Sequence, residues 1–261
     1  MRDVVILSAQ RTPIGAFLGT LAEVTAPQLG AAAISSAVEA AASGDVTVDV
    51  LRDAIDHVIM GDVLQAGQGQ APARQAAIHA GLPKKVGAVT LNKVCGSGMR
   101  AVMDAANAIR AEEWDMLIAG GMESMSNAPH LLPRARQGIR MGDATLMDSM
   151  IRDGLWDPYD DKHMGLCAES CAGKYAFSRE QQDAFALDSY QRARQAQQQG
   201  LFEQELVSVQ VPQRRGDSIT VDQDEEPFKA PLDKMPSLRP AFDKAGTVTA
   251  ANASKLNDGA A

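Results

Sequence analysis

The feature that most restricts the architecture is an alternation of short apolar runs with Ala-rich segments over residues 1–121. Residues 4–8 (VVILS), 55–60 (IDHVIM), 86–91 (VGAVTL) and 116–119 (MLIA) each have strand length and little polarity. Such continuous apolar runs suit strands buried on both faces. Between them lie helix-like stretches. Residues 26–43 have Pro27 near the start and Gly44 just past the end, the asymmetry expected of a helix. Residues 71–80 are closed by Gly81 and Pro83. Residues 98–114 place Met99, Val102, Met103 and Ala106 at i, i+3, i+4 and i+7, the spacing of one helical face. The order βαβαβαβ predicts an α/β fold, a largely parallel sheet with helices layered on both faces. The first strand is expected almost at Met1.

After Gly121 the texture changes to turn-rich stretches such as SMSNAPHLLPRARQG. Helices are predicted over 145–154, 162–177 and 178–198, the last opened by Ser178 and Gln181 in capping-box spacing. Alternation over 205–211 and 218–221 predicts a hairpin turning at 214–217. The expected organisation is an α/β domain over 1–121, a mainly helical inserted domain over 122–247, and a return to the first domain over 248–261. The last stretch, GTVTAANASKLNDGAA, ends on small residues without a cap, so the chain is expected to stop just before the strand that completes the first sheet.

Charge and composition exclude several classes. Lys and Arg number 25 against 33 Asp and Glu, a formal net charge of −8, with no basic run. A nucleic-acid surface needs clustered positive charge, so a nucleic-acid partner is not expected. No apolar stretch nears the roughly 18 residues of a membrane helix. The run at 4–9 is shorter than a secretory core and leads straight into Gln10 and Arg11. Three cysteines fit thiol chemistry in a reducing, cytoplasmic setting better than a disulfide framework.

The strongest local motif is Asn92-Lys-Val-Cys95-Gly96-Ser97-Gly98-Met99-Arg100. It sets a cysteine on the turn between a buried strand and a helix, beside the unsatisfied N–H groups of the helix start, which favour thiolate. Gly96 and Gly98 permit a sharp turn and close approach of a ligand. On these residues alone three readings stand: a nucleophilic cysteine, a buried structural cysteine, and a phosphate-binding glycine loop.

NKVCGSGMRAV resembles the acyl-accepting motif of thiolases, and further segments resemble that family in order. These are RTPIGAFLG, GDVLQAGQGQAPARQAAIHAGLP (61–83), AGGMESMSNAPHLLP (119–133), RMGD (140–143), KHMGLCAE (162–169), LRPAFDKAGTVTAANAS (238–254) and NDGAA (257–261). The likeness covers essentially the whole chain and is strongest to the acetyl-CoA acetyltransferase branch, through His163-Met164-Gly165. It implies a thiolase-like fold holding the N-terminal two thirds of the family pattern, with the C-terminal half absent. It further implies that Cys95 accepts an acetyl group from acetyl-CoA and that a second acetyl-CoA attacks to give acetoacetyl-CoA and CoA. Leu155, His163, Met164, Ala241, Phe242, Ala250 and Ser254 match positions lining the pantetheine arm of CoA. CoA thioesters would be substrates, with no separate cofactor, and the family's habit is homo-oligomeric, as dimer or tetramer. The helix after Cys95 and the run 86–91 are the expected interface elements. One departure concerns the nucleotide end of CoA. Family members often carry an arginine after an Asp-Glu pair, whereas here Asp224-Glu225-Glu226-Pro227-Phe228-Lys229 puts Phe228 at that place.

His163, Cys167 and Cys171 fall at i, i+4 and i+8, but no further Cys or His completes a zinc set, so no metal is expected. The family's Gly-His-Pro and Cys-x-Gly-Gly-Gly motifs, which supply the base and the acid, do not occur in these residues. The 261-residue chain alone is therefore expected to be inactive. The alternatives are a degradative 3-ketoacyl-CoA thiolase and a non-catalytic thiolase-like protein that binds CoA or lipid.

Overall fold

The computed structural model describes residues 2–261, which form two compact units. The first takes the chain up to residue 128, then 204–223 and 257–261; the second takes 129–203 and 224–256.

In chain order the first unit begins with β1 (Gly15–Ala16), α1 (Ala26–Ala41), α2 (Val48–Ala54) and β2 (His57–Gly61). It continues with α3 (Pro72–His79), β3 (Gly87–Leu91), α4 (Ser97–Arg110) and β4 (Leu117–Ser124). The second unit has short strands β5 (His130–Leu131), β6 (Met147–Asp148), β7 (Trp156–Asp157) and β8 (Lys162–His163), then α5 (Met164–Lys174) and α6 (Arg179–Gln198). The hairpin β9 (Val209–Val211) and β10 (Ile219–Val221) belongs to the first unit, α7 (Glu226–Lys229) to the second, and β11 (Asn257–Ala260) to the first again.

The sheet of the first unit runs β1-β11-β4-β2-β3. The strands β4, β2 and β3 are parallel, with Gly61 level with both Leu91 and Gly121. Since β2 lies between its successors, right-handed crossovers put α3 and α4 on opposite faces. Alternate residues of β2 record this: Val58 and Met60 join the core with Leu29, Ile34, Ala73 and Ala76, whereas Ile59 packs with Ala101 and Ala105 of α4.

Several expectations are corrected. Residues 4–8 form no strand. Val5, Ile6 and Leu7 are exposed, because no neighbouring strand among the described residues offers them a ladder, and Ser8 is tied by its Oγ donating to the Ala37 carbonyl at 2.6 Å. The sheet is mixed, not largely parallel along its whole width: β11 is antiparallel to both β1 and β4. The strand that was expected to lie beyond the chain is β11 itself. On α4, Met99, Val102 and Met103 face outward and the buried face is Ala101, Ala105 and Ala108. Small residues are required there because the helix start meets the sheet backbone: a Cβ on Gly121 would lie 3.2 Å from the Gly98 Cα. Only a π-helical turn, Met150–Leu155, forms within the helix expected at 145–154.

The expected helices at 26–43, 71–80, 162–177 and 178–198 appear with shifted ends. Ser178 accepts from the Gln181 N–H at 3.2 Å, and Gln181 Oε1 accepts from the Ser178 N–H at 2.9 Å. The predicted hairpin forms, but Val209, Val211 and Val221 are buried in the first unit's core, so it divides the insert. The second unit resumes at 224 and runs to 256, so the return to the first unit occupies 257–261 instead of 248–261. No helix among the described residues is long and apolar enough to cross a membrane.

Candidate active site

Cys95 lies on the first unit, just past the C-terminal end of β3 and immediately before Gly96, the N-cap of α4. Ligands of open α/β sheets collect at that edge. Backbone turning confines the cysteine: the Gly96 N–H donates to Lys93 O at 3.2 Å and the Ser97 N–H to Val94 O at 3.1 Å. Ser97 Oγ accepts from the Lys93 N–H at 2.8 Å and donates to Val94 O at 2.7 Å. Val94 pays for this turn with φ of +49°, a left-handed conformation unusual for a β-branched residue. Such strain costs about 1–3 kcal/mol and persists only where the surroundings over-determine it.

The surroundings do so through glycine. A Cβ on Gly61 would come within 2.5 Å of the Ser97 Cβ and 2.6 Å of its carbonyl carbon. Gly61 on β2 and Gly121 on β4 therefore let the first turn of α4 settle directly on the sheet. Cys95 is exposed at that point, which excludes the buried structural cysteine.

The expected CoA-lining residues all lie in the second unit. His163 ends β8, whose partner in β7 is Trp156, the residue after Leu155. The His163 Nδ1 accepts from the Gly165 N–H at 2.9 Å, so the neutral ring carries its proton on Nε2. Its face stacks on Phe242 with centroids 4.9 Å apart and planes 22° apart. Gly165 is needed here, because a Cβ would reach 2.2 Å from the Phe242 ring. Met164, the first residue of α5, is 39% exposed, an apolar side chain left open beside this stack.

Ala241 joins the same group through its N–H, which donates to Val248 O at 2.9 Å beside the Pro240–Thr249 bridge. Ala250 follows that bridge and is exposed, as is Ser254. Thus Leu155, His163, Met164, Ala241, Phe242 and Ala250 are gathered by β7, β8 and the 240–250 bridge, while Ser254 has no bond tying it to them. Cys171 is exposed and Cys167 half-buried, both as free thiols. His57 opens β2 at the sheet edge opposite Cys95 and stacks on Trp114 at 4.2 Å.

At the departure from the family pattern, Lys229 is paired with Glu225. The guanidinium over Phe228 belongs to Arg194 of α6, 5.9 Å from the ring centroid, with its Nη2 donating to Ala230 O at 2.9 Å.

Two site-edge residues carried no motif that singled them out. Asp62 directly follows β2 and Glu123 is the penultimate residue of β4; Asp62 is buried and Glu123 half-buried. Burial, then the charge of Glu123, pushes the Asp62 carboxyl up to about 8. Burial also raises Glu123, against the amides of Val63 and Leu64 that favour its charge. The signal available in sequence was an acid within a few residues of the end of each of two apolar runs; seeing them meet requires the strand register.

The family described as "Thiolase, N-terminal domain" matches residues 4–261. The chain is 56% identical over 262 residues to the acetyl-CoA acetyltransferase of Cupriavidus necator, covering 100% of this chain and 65% of that protein. It is 52% identical to the acetyl-CoA acetyltransferase of Pseudomonas aeruginosa, with the same coverage. A crystal structure of the Acat5 thiolase from Ascaris suum in complex with coenzyme A superposes with a TM-score of 0.90 at 43% identity, over 99% of this chain and 64% of that one. The chain therefore spans about 65% of the length of the curated relatives it matches. Strand order, the Cys95 turn and these matches agree: the chain belongs to the thiolase family, with a thiolase-type α/β fold.

Proposed function

We propose that the chain carries the acyl-accepting part of an acyltransferase that joins two acetyl-CoA molecules into acetoacetyl-CoA and CoA. The observation that carries this reading is the exposure of Cys95 on a strained strand-to-helix turn at the head of α4. The Cys95 thiolate attacks the acetyl-CoA carbonyl, and the oxyanion that forms is stabilised by the Cys95 N–H at the helix start. Collapse expels CoA as thiolate, which takes up a proton, and leaves an acetyl thioester on Cys95. A second acetyl-CoA loses its α-proton to a base; the carbanion attacks the thioester, acetoacetyl-CoA leaves and the Cys95 thiolate returns. A thiol suits both halves because its thiolate is nucleophile and leaving group.

Leu155, Met164 and Phe242 offer the pantetheine arm an apolar surface, with Ala241, Ala250 and Ser254 along it, and the His163 Nε2–H offers that arm a donor. CoA thioesters are substrates in this scheme, and no other cofactor is invoked. The three free thiols accord with a reducing, cytoplasmic setting. Self-association is assigned to the outward face of α4, with Met99 74% exposed, and to the open edge of β3.

No histidine of the first unit can serve Cys95 as base, since His57 is at the opposite sheet edge and His79 is exposed on α3. The 261-residue chain alone is accordingly proposed not to complete the cycle. Incubation with radiolabelled acetyl-CoA followed by peptide mapping tests the assignment. Label is expected on Cys95, absent in Cys95→Ala, without multiple-turnover release of acetoacetyl-CoA. Label retained in Cys95→Ala, or steady turnover by the chain alone, overturns the respective part.

A further inference from the structure

The first unit draws three carboxyl groups inward, Asp62 and Asp258 buried and Glu123 half-buried, and among the described residues none is paired with Lys or Arg. Two of the three are well supplied with donors. Asp258, fully buried on β11, accepts from the Ser126 N–H at 2.9 Å, from Ser126 Oγ at 2.6 Å and from Ser124 Oγ at 3.3 Å. Glu123 accepts from the Val63 N–H at 2.9 Å and the Leu64 N–H at 3.1 Å.

Asp62 is different. It is 1% exposed; Oδ1 accepts from Gln68 Nε2 at 3.3 Å, and Oδ2 is buried without a donor. An ionised oxygen in that position would be an uncompensated charge facing the Glu123 carboxylate. A proton on Oδ2 removes both problems, because the O–H then donates to Glu123. Glu123 is the member that keeps the charge, since two amides already point at it.

The pair is wired to the Cys95 turn by short steps. The Asp62 N–H donates to Leu91 O at 3.0 Å. Val63 O accepts from Asn92 Nδ2 at 3.5 Å, and Asn92 Oδ1 accepts from the Val94 N–H at 2.8 Å. Val94 is the residue held left-handed immediately before Cys95.

We propose that Asp62 and Glu123 share one proton and that this pair positions the Cys95 turn, holding loop 62–65 beneath Asn92 so that Val94 keeps its strained conformation. The charged groups facing the pair are each other and, from β11, Asp258, which raises Glu123 further. The catalytic meaning of the pair rests on the role given to Cys95, but its existence and its grip on the turn can be read without turnover.

The test compares wild type, Asp62→Asn and Glu123→Gln in two measurements. The first is the melting temperature as a function of pH. The folded state holds the Asp62 proton more tightly than the unfolded chain does, so this contribution is full below the unfolded carboxylate range. It falls as pH rises toward about 8, and levels off above it. Asp62→Asn supplies an N–H donor that does not titrate, and the fall attributable to the pair disappears. Glu123→Gln removes the like charge, and the fall moves to lower pH.

The second measurement is alkylation of Cys95 by iodoacetamide, followed by peptide mass spectrometry with the exposed Cys171 as internal thiol reference. In wild type the Cys95-to-Cys171 rate ratio changes by about fivefold as pH passes through the titration of the pair, the size of one ordinary hydrogen bond. In Asp62→Asn that step is absent. Retention of the wild-type melting profile by Asp62→Asn overturns the shared proton. A melting profile that flattens while the wild-type rate ratio shows no step overturns the positioning role. A step that follows Asp62 in a protein whose Cys95 takes no acetyl label leaves this proposal standing and removes the acyltransferase reading instead.

Discussion

The two units solve the problem of holding a loop in place by different means. In the first, volume decides: Leu21, Leu29, Ile34, Val58, Met60 and Val86 are almost wholly buried in one cluster, and helix α4 rests on glycines with no side chain between. In the second, charged side chains hold the backbone. Glu169 accepts from the N–H groups of Thr247 and Val248, the latter at 2.8 Å. Arg179 Nη2 donates to Met235 O and Leu238 O at 2.9 and 3.0 Å, while its Nε pairs with Asp183 at 2.7 Å. Arg194 spans Pro227 O and Ala230 O. Cys95, the proposed nucleophile, thus sits on a surface whose shape tolerates little change, and the residues proposed to take CoA sit on short elements and loops, of which 240–250 is held by polar bonds.

Hydrogen exchange resolved by peptide can break or sharpen this contrast, because it reports each unit separately. The largest effect is expected for Gly61→Val, whose side chain would meet the backbone of Ser97, not a flexible neighbour. It should destabilise the first unit by about 3 kcal/mol. Exchange should quicken across α1, α3 and the sheet and stay unchanged over 164–198. Next is Glu169→Ala, which strips the donors at Thr247 and Val248 of a charged acceptor and should cost about 2 kcal/mol, seen as faster exchange over 240–250. The smallest is Ser178→Ala, loss of a capping box worth about 1 kcal/mol, confined to the first turns of α6. If Glu169→Ala loosened the first unit as much as the second, the division between a volume-set and a polar-set unit would fail.

What could be read in sequence was whatever is encoded within a few residues. Pro27, Ser178 with Gln181, and the alternation around 209–221 mark their elements locally, and each element formed. The Cys95 turn was legible for the same reason, since strand, turn and helix are contiguous. Misreadings arose where partners are distant. The run 4–8 has every local property of a strand and lacks a ladder. The segment Asn-Asp-Gly-Ala of β11 has few strand-forming residues, yet becomes a strand because β1 and β4 pair with it on both sides. On α4 the apolar spacing marked a helix but not which face is buried, and close approach to the sheet selected the alanines. Asp62 and Glu123 could be brought together only by knowing that Gly61 and Gly121 are level.

The place of β11 also fixes an order of events. The strands β2, β3 and β4 are neighbours in sequence and can pair as soon as they are made. The gap between β1 and β4 is filled by residues 257–260, with the Asn257 Nδ2 donating to the Gly15 carbonyl across a separation of 242 residues. Until a ribosome has delivered that stretch, one flank of β4 presents a row of unpaired N–H and C=O groups. An open strand edge of this kind is a template for the wrong partner. The nascent chain therefore carries this hazard of self-association from the completion of β4 until four unremarkable residues, 257–260, pair with it.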